Sequence, residues 1–386
     1  MISKTFLNVH QLKSKYSIVI LLWFCCSQIL ISQIQEKAKI QPFSFNAFDT
    51  NDEQFDWLQE AGEAEVFLIG EYHDVSVNPK ILGKMLMHLH KKENVRYLLI
   101  EYGYAEAYLY NQYLITGDEV FIEKNWQFQF EEYKTFWRSL YSFNQEHEPA
   151  DRVSVIGLDF EWAPSLLRMI TVLKTDKIQS NAVQTFLQRV ENAKKKGIDN
   201  KKKWILTQRE LILTHLDEFQ MYFGESITHV LSAFNNNAFH EDMTKRDKEM
   251  YHNFHRFYPD FKRGNFLGMM GNVHTDKGIR SALAYRLNEK EESYVEGKVF
   301  TMFTYYYRCC TSYDYQNRLF DTKLGSYFNK KEEETFKQFV YELGDRNKFY
   351  MLEIDASISE FTEIIKHYDI MFIVKEQKAA THTETE

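Results

Sequence analysis

The sequence predicts an α/β fold in which crossover helices flank a mostly parallel central sheet and a large helical insertion caps it. Three observations lead to this fold class. Short apolar runs alternate with stretches of helical periodicity, a pattern typical of parallel strands joined by helices. The middle of the chain, from about residue 165 to 258, contains no convincing strand. Hydrophobic residues make up 44% of the 386 positions, which is ordinary for a folded protein with a packed core.

Seven apolar runs bounded by charged or turn residues are predicted to be buried strands. They cover residues 66–70, 97–101, 153–159, 265–271, 299–304, 349–354 and 370–374. Between the first two runs, apolar residues at helical spacing predict a helix with Asn78 as its N-cap and Pro79 in its first turn. A second helix is predicted over residues 104–116, and Gly117 ends it.

The rest of the domain organisation follows from composition and spacing. Residues 165–258 are predicted to form the helical cap, with the lysine-rich stretch 194–203 as a solvated connection between two helices. We expect a single domain over residues 62–376. A lead-in at residues 33–61 precedes it, and a polar, frayed tail at residues 377–386 follows it.

Residues 1–32 have the pattern of a secretory signal peptide. Lys4, Lys13 and Lys15 precede an apolar run over residues 17–31, which is shorter than the roughly 20 apolar residues of a membrane span. We therefore expect export to the periplasm or the extracellular space, with no stable membrane span in the mature form. An uncleaved anchor and a lipoprotein modified at Cys25 are the alternatives.

Charge and cysteine content argue against two classes of protein, those that bind nucleic acids and those held together by disulfides. The formal net charge of −8 argues against a nucleic-acid partner bound through phosphates. Two of the four cysteines lie within the predicted signal peptide, which leaves the adjacent pair Cys309 and Cys310. A disulfide framework is therefore not expected to hold this fold together.

Acids and histidines follow four of the predicted strands. Glu71 and His73 come after the first strand, Glu101 after the second, Asp159 after the third and His274 after the fourth. Because ligands of open parallel sheets bind beyond the carboxyl ends of the strands, these side chains are expected to share one crevice. Both histidines belong to a Gly-x-x-His pattern that directly follows an apolar strand.

The chemistry of these residue types leaves two versions of water activation open. A histidine beside a carboxylate makes a general base, because the acid fixes the imidazole tautomer and raises its basicity. Alternatively, His73, Glu101 and His274 would hold one divalent metal ion that polarises water. The sequence contains neither a Gly-x-Ser-x-Gly nucleophile motif nor a Gly-rich phosphate loop.

Several motifs, in the same order along the chain, resemble those of the erythromycin esterase, ChaN and Tiki superfamily. The resemblance covers roughly residues 62 to 375. Its motifs are FLIGEYHD at 67–74, LIEYG at 99–103, VIGLDFE at 155–161, Arg246-Asp247 with Met250, GNVHTDKG at 271–278 and YDIMFI at 368–373.

The resemblance implies a hydrolase-like pocket for a small-molecule or peptide substrate. Its leading interpretation is an exported esterase-like hydrolase in which His73, oriented by Glu71 or Glu101, activates water. His274 and Arg246 would stabilise the oxyanion that forms, and Asp159 completes the predicted catalytic set.

Three other interpretations stay open. Erythromycin esterases have one more residue between the first Glu and His of their motif, and a His where Gly271 stands here. The shorter spacing resembles ChaN-type proteins, which implies binding of haem or another small ligand. The two Gly-x-x-His motifs with a Glu also resemble Tiki-type metalloproteases. Besides ChaN-type ligand binding and a Tiki-type metalloprotease, the third interpretation is an inactive relative that keeps the fold.

Overall fold

The computed structural model describes residues 40–44, 61–236, 243–312, 318–324, 327–344, 348–353 and 363–382. The predicted signal peptide and most of the lead-in lie outside these residues. The strands are β1 (Ile40–Ser44), β2 (Val66–Glu71), β3 (Val95–Ile100), β4 (Ser154–Gly157), β5 (Asn265–Gly271), β6 (Val299–Tyr307), β7 (Cys309–Thr311), β8 (Arg318–Phe320), β9 (Lys348–Glu353) and β10 (Ile370–Lys375).

Eight of these strands form one sheet in the order β1-β9-β10-β6-β2-β5-β3-β4. The pairs from β10 through β6, β2, β5 and β3 to β4 are all parallel. The edge strands β1 and β9 pair antiparallel with their neighbours. Strands β7 and β8 form a separate antiparallel pair. The predicted mostly parallel sheet is confirmed, and all seven predicted strands belong to it.

Helices occupy both faces of the sheet and the cap. They are α1 (Asn78–Lys92), α2 (Tyr104–Thr116), α3 (Glu131–Gln145), α4 (Ala163–Val172), α5 (Asn181–Lys196), α6 (Lys201–Thr214), α7 (Leu216–Phe223), α8 (Ile227–Phe234), α9 (Met243–Phe257), α10 (Leu283–Glu289) and α11 (Lys330–Glu342). The first of the two predicted helices begins at Asn78, and the second ends where Gly117 adopts a φ of +75°.

The two faces of the sheet bury alternate residues of each central strand, as the pleat requires. Phe67 and Ile69 of β2 pack in the core cluster that includes α1, α2 and α3. Val66 and Leu68 face the opposite cluster, which contains residues of α9 and α10. All six residues of β2 are buried, because helices cover both faces of a parallel sheet.

The predicted helical cap corresponds to α4–α9, and no described residue between 165 and 258 forms a strand. The cap has its own apolar cluster, which includes Phe186, Phe219 and Phe234. The lysine-rich stretch 194–203 differs from its prediction. The link between α5 and α6 is only residues 197–200, and the lysines extend the two helices on either side.

Two other expectations are wrong. Val77, not Asn78, is the N-cap of α1, because the Asn78 side chain bonds away from the helix. The described part of the tail is also ordered against the domain. The backbone N–H of Ala380 donates to the Asp74 carbonyl, and the His382 ring lies 4.3 Å from the Phe130 ring. These contacts tie the tail to the loop after β2 and to the start of α3.

Both remaining cysteines, Cys309 and Cys310, are free thiols, as expected for a fold without a disulfide framework. Burial raises the pKa of Cys309 to about 12, so this thiol is unreactive at neutral pH. Among the helices in the described part of the chain, none is long and apolar enough to cross a bilayer.

Candidate active site

The six residues predicted from the sequence lie together at the carboxyl ends of neighbouring strands. Strands β2, β5, β3 and β4 are adjacent in the sheet. They deliver the residues that follow them to one edge, while Arg246 reaches the same place from α9 in the cap. Close approach of two loops helps to form this edge. A Cβ atom on Gly70 would lie 2.3 Å from the Asn272 amide oxygen, so the first loop packs directly on the second.

Glu71 and His73 form a hydrogen-bonded pair. The His73 Nδ1 atom lies 2.9 Å from Glu71 Oε1, while Nε2 faces Glu101 Oε2 at 3.9 Å. The His73 side chain is 37% exposed, whereas the Glu71 side chain is 7% exposed. Burial lowers the pKa of His73, but the Glu101 and Glu71 carboxylates outweigh it and raise the pKa to about 9.

Glu101 is the central acceptor of the cluster. Its Oε1 accepts a bond from Arg246 at 2.7 Å and lies 3.3 Å from His274 Nε2, and its Oε2 accepts the Gly271 N–H at 2.8 Å. Burial alone would raise its pKa. The positive charges of His73, His274 and Arg246 instead hold the pKa of Glu101 well below its usual range. Glu101 is therefore a carboxylate at any physiological pH.

His274 is buried and has both ring nitrogens against carboxylates. Its Nδ1 lies 2.8 Å from Asp247 Oδ1, and the other Asp247 oxygen accepts the Leu283 N–H. Burial lowers the pKa of His274, but Asp247 and Glu101 raise it to about 10. The ring is therefore an imidazolium that neutralises Glu101. Asp247 is not among the site residues predicted from the sequence. The feature that could have indicated it is its position directly after Arg246.

Arg246 bridges two of the predicted acids. Its Nε donates to Asp159 Oδ1 at 2.9 Å, and its Nη2 bonds both Asp159 and Glu101. Asp159 is fully buried, and burial raises its pKa despite the opposing guanidinium. Asn236 of the cap donates to the Asp159 carbonyl at 2.5 Å, so the cap also holds this strand end in place.

Asn78 was missed as a site residue because its position predicts a helix cap. Its amide donates to Glu71 Oε2 at 2.5 Å and to the Tyr72 carbonyl at 2.7 Å. Its amide oxygen accepts the Tyr306 hydroxyl at 2.7 Å. Asn78 thus orients Glu71, which in turn orients His73. Only the fold brings Tyr306, 228 residues away in the chain, to this position.

A cavity of about 460 Å³ adjoins the cluster. Five of the six predicted residues line it, and His274 does not. Aromatic side chains form much of the remaining wall: Tyr102, Trp126, Tyr133, Phe160 and Trp162. Trp126 and Trp162 are 37% and 47% exposed, which is unusual for such large apolar rings. The arrangement is that of a ligand pocket with charged groups at one end.

Gly271 leaves space beside the exposed histidine. A Cβ atom at this position would lie 3.2 Å from His73 Nε2 and 3.7 Å from Glu101 Oε2. The backbone of Gly271 has a φ of −51°, which other residues also adopt. The absence of a side chain therefore matters for the room it leaves rather than for backbone conformation.

The residues suggested as metal ligands do not fit a divalent ion. The Arg246 guanidinium lies 2.7 Å from Glu101 Oε1, where its charge would repel a bound cation. His274 Nδ1 is directed to Asp247, and its Nε2 to the same Glu101 oxygen. Among the residues that the structure describes, no three His, Cys, Asp or Glu side chains are arranged to hold a metal.

The two cavity tyrosines are neutral phenols in the protein without a bound metal. Burial raises the pKa of Tyr102 and of Tyr133 well above 10.

Solved structures give the comparison at the level of the fold. A protein from Bacillus cereus superposes with a TM-score of 0.62 at 14% identity, over 93% of this chain and 99% of that one. A succinoglycan biosynthesis protein superposes with a TM-score of 0.65 at 12% identity, over 92% of this chain and 98% of that one. A variant of erythromycin esterase EreC in its open conformation gives 0.58 at 11%, over 89% and 98%. The chain has the erythromycin esterase-like fold. The resemblance predicted from the motifs is thus confirmed for the fold, although no family model and no curated protein matches the sequence.

Proposed function

We propose that this protein is a hydrolase that cleaves an ester or lactone of a small molecule with water activated by His73. The observation that carries the proposal is the hydrogen-bonded Glu71–His73 pair that lines the cavity. His73 is the most exposed of the six predicted side chains, and its Nδ1 is fixed by a carboxylate. The esterase-like fold supports a hydrolytic reaction at this edge of the sheet.

In the proposed reaction, neutral His73 takes a proton from water at Nε2 while Nδ1–H stays bonded to Glu71. The water oxygen bonds to the carbonyl carbon, and the carbon–oxygen bond to the alcohol breaks. His73 then returns the proton to the leaving alkoxide. The products are a carboxylic acid and an alcohol, so a single water molecule balances the reaction.

The other residues have supporting roles in this proposal. Arg246 uses Nε and Nη2 for Asp159 and Glu101, and we assign its Nη1 to the carbonyl oxygen as negative charge develops there. His274 neutralises Glu101 and so acts through another residue. Glu101 is a weaker base than His73, because the Arg246 guanidinium and the His274 imidazolium stay charged when His73 is neutral and both lower the pKa of Glu101.

Turnover of a panel of esters, lactones and peptides tests the proposal, with and without a chelator. Loss of about 10² to 10⁴ in kcat for His73→Ala, with no effect of the chelator, is the expected result. Turnover that the chelator abolishes would replace this mechanism with the metalloprotease-like alternative. No turnover of any substrate, together with a Soret band on titration with haem, would favour the ligand-binding alternative.

We also propose that the protein is exported after removal of residues 1–32. The basic and apolar pattern of this segment supports the proposal. Expression of the full chain followed by cell fractionation and N-terminal sequencing of the product tests it. A mature chain that begins near Gln33 outside the cytoplasm is expected, and an intact N-terminus in the cytoplasm would contradict it.

A further inference from the structure

The cavity beside His73 continues away from the charged side chains, into the space between the sheet and helices α1 and α3. Two residues of one chain segment line this cavity: Leu98 in β3, and Glu101, which directly follows β3. The lining therefore continues below the strand ends, and its apolar part is the inner chamber, formed by Leu82, Leu98, Ile100, Met269, Tyr133 and Trp137.

Residual exposure locates the open part of the inner chamber beside three of its side chains. Met269, Leu82 and Ile100 are 9%, 7% and 5% exposed, although they belong to the main apolar cluster. Leu98 and Trp137, each 1% exposed, close its far end. Well-packed cores leave few voids of this kind, and voids lined by apolar side chains favour apolar ligands over water.

We infer that the inner chamber receives the unbranched apolar chain of an ester whose carbonyl group lies beside His73. This inference rests on the proposed function and adds the substrate class. One end of the cavity offers charged groups for the polar carbonyl. The other end offers aliphatic and aromatic surface that gains free energy when a methylene chain displaces water. The substrate is thus an amphipathic ester, with the chain on either its acyl or its alcohol side.

A series of p-nitrophenyl esters from acetate through butyrate, hexanoate and octanoate to decanoate tests the acyl side. A matching series of alkyl acetates tests the alcohol side. Each added methylene is expected to raise kcat/KM by about fourfold until the chamber is full, after which kcat/KM falls. The series that shows this dependence identifies the side that carries the chain. Equal kcat/KM for all members of both series would overturn the inference while leaving the hydrolase intact.

Two substitutions at Leu82 test whether the apolar chain of the substrate lies in the chamber, because one makes the chamber smaller and the other makes it larger. Leu82→Phe fills the chamber, so the preference for octanoate over acetate should fall about tenfold or more. Leu82→Ala enlarges it, so the optimal chain should become longer. Leu213→Phe, on an exposed position of α6, is the control for the substitution itself. An unchanged chain-length preference in both Leu82 variants would refute the assignment of the chamber.

Binding of 2-decanone separates this inference from the proposed function, because a ketone resembles the ester but is not hydrolysed. Quenching of tryptophan fluorescence reports the binding, since Trp126, Trp137 and Trp162 line the cavity. The ketone should bind to the wild-type protein and to His73→Ala, and about tenfold more weakly to Leu82→Phe. Binding without ester turnover would sink the proposed function but support the chamber. Turnover of short esters without binding of the ketone would support the proposed function but contradict the assignment of the chamber.

Discussion

The substitution Glu71→Gln offers the most direct test of how the site sets the basicity of its histidine. The amide oxygen of Gln can still accept the Nδ1–H of His73, so that hydrogen bond is kept while the negative charge is lost. The bond from the Asn78 amide to Glu71 Oε2 is lost as well, because the NH2 group of Gln cannot accept it. Two carboxylates raise the pKa of His73 to about 9, with Glu71 at 2.9 Å and Glu101 at 3.9 Å. Glu101 remains in the variant, so only part of the shift should disappear.

The size of the effect follows from these distances and from the exposure of the ring. Two unit charges about 4 Å apart interact by about 1 kcal/mol in water and about 4 kcal/mol near a protein surface. The His73 side chain is 37% exposed, so solvent screening favours the lower end of this range. A loss of about 1.4 kcal/mol lowers the pKa of His73 by about one unit.

Two measurements on the same protein check this expectation. NMR titration of the His73 imidazole gives its pKa directly, and the pH dependence of kcat/KM gives the pKa of the base in the free enzyme. Activity should rise with pH toward about 9 in the wild-type protein, because the proposed base is the neutral ring. In Glu71→Gln both midpoints should move to lower pH by about one unit.

A matched control lies at the other end of the same strand. Glu65 directly precedes β2 and pairs with Lys298, away from the site. Glu65→Gln should leave both midpoints unchanged. A pH–rate midpoint that stays in place in Glu71→Gln, while the NMR titration shifts, would show that His73 is not the base. If neither midpoint moves, the electrostatic account of the Glu71–His73 pair is refuted.

Three further predictions concern stability and access. Asn78→Ala removes the amide donor to buried Glu71 and should lower the free energy of unfolding by about 1–3 kcal/mol in urea titrations, and an unchanged midpoint would contradict this. His274 keeps a proton in the folded protein up to a pKa of about 10, whereas the unfolded chain loses it near 6.5. Its contribution to stability is therefore complete below about pH 6.5 and is lost as the pH rises toward 10, so thermal melts of His274→Gln should show a flatter decline over this window. Gly271→Ala would place a Cβ atom 3.2 Å from His73 Nε2. It should lower kcat about ten- to a hundredfold with an unchanged melting temperature, and full activity would show that the reacting water lies elsewhere.

The sequence by itself predicted seven of the eight strands of the sheet and the edge at which the candidate site residues meet, whereas β1 lies in the segment predicted to be a lead-in. Strands buried on both faces, such as β2, are continuous apolar runs, and their ends are marked by Glu71, Glu101 and similar residues. Such patterns are local, so they can be read without knowing what lies opposite. The same is true of the helical cap, whose periodicity extends over many residues, and of Gly117 at the end of α2.

Tertiary structure decided how the site residues are paired, because those contacts join positions far apart in the chain. Asn78 carries a good helix-capping signal, yet its side chain serves Glu71 and Tyr306 instead. Asp247 became a partner of His274 only when α9 packed over the strand ends. The tail is likewise ordered by contacts with the loop after β2 and with the start of α3, which are far from it in the sequence. The inner chamber depends on the distance between sheet and helices, which packing alone sets.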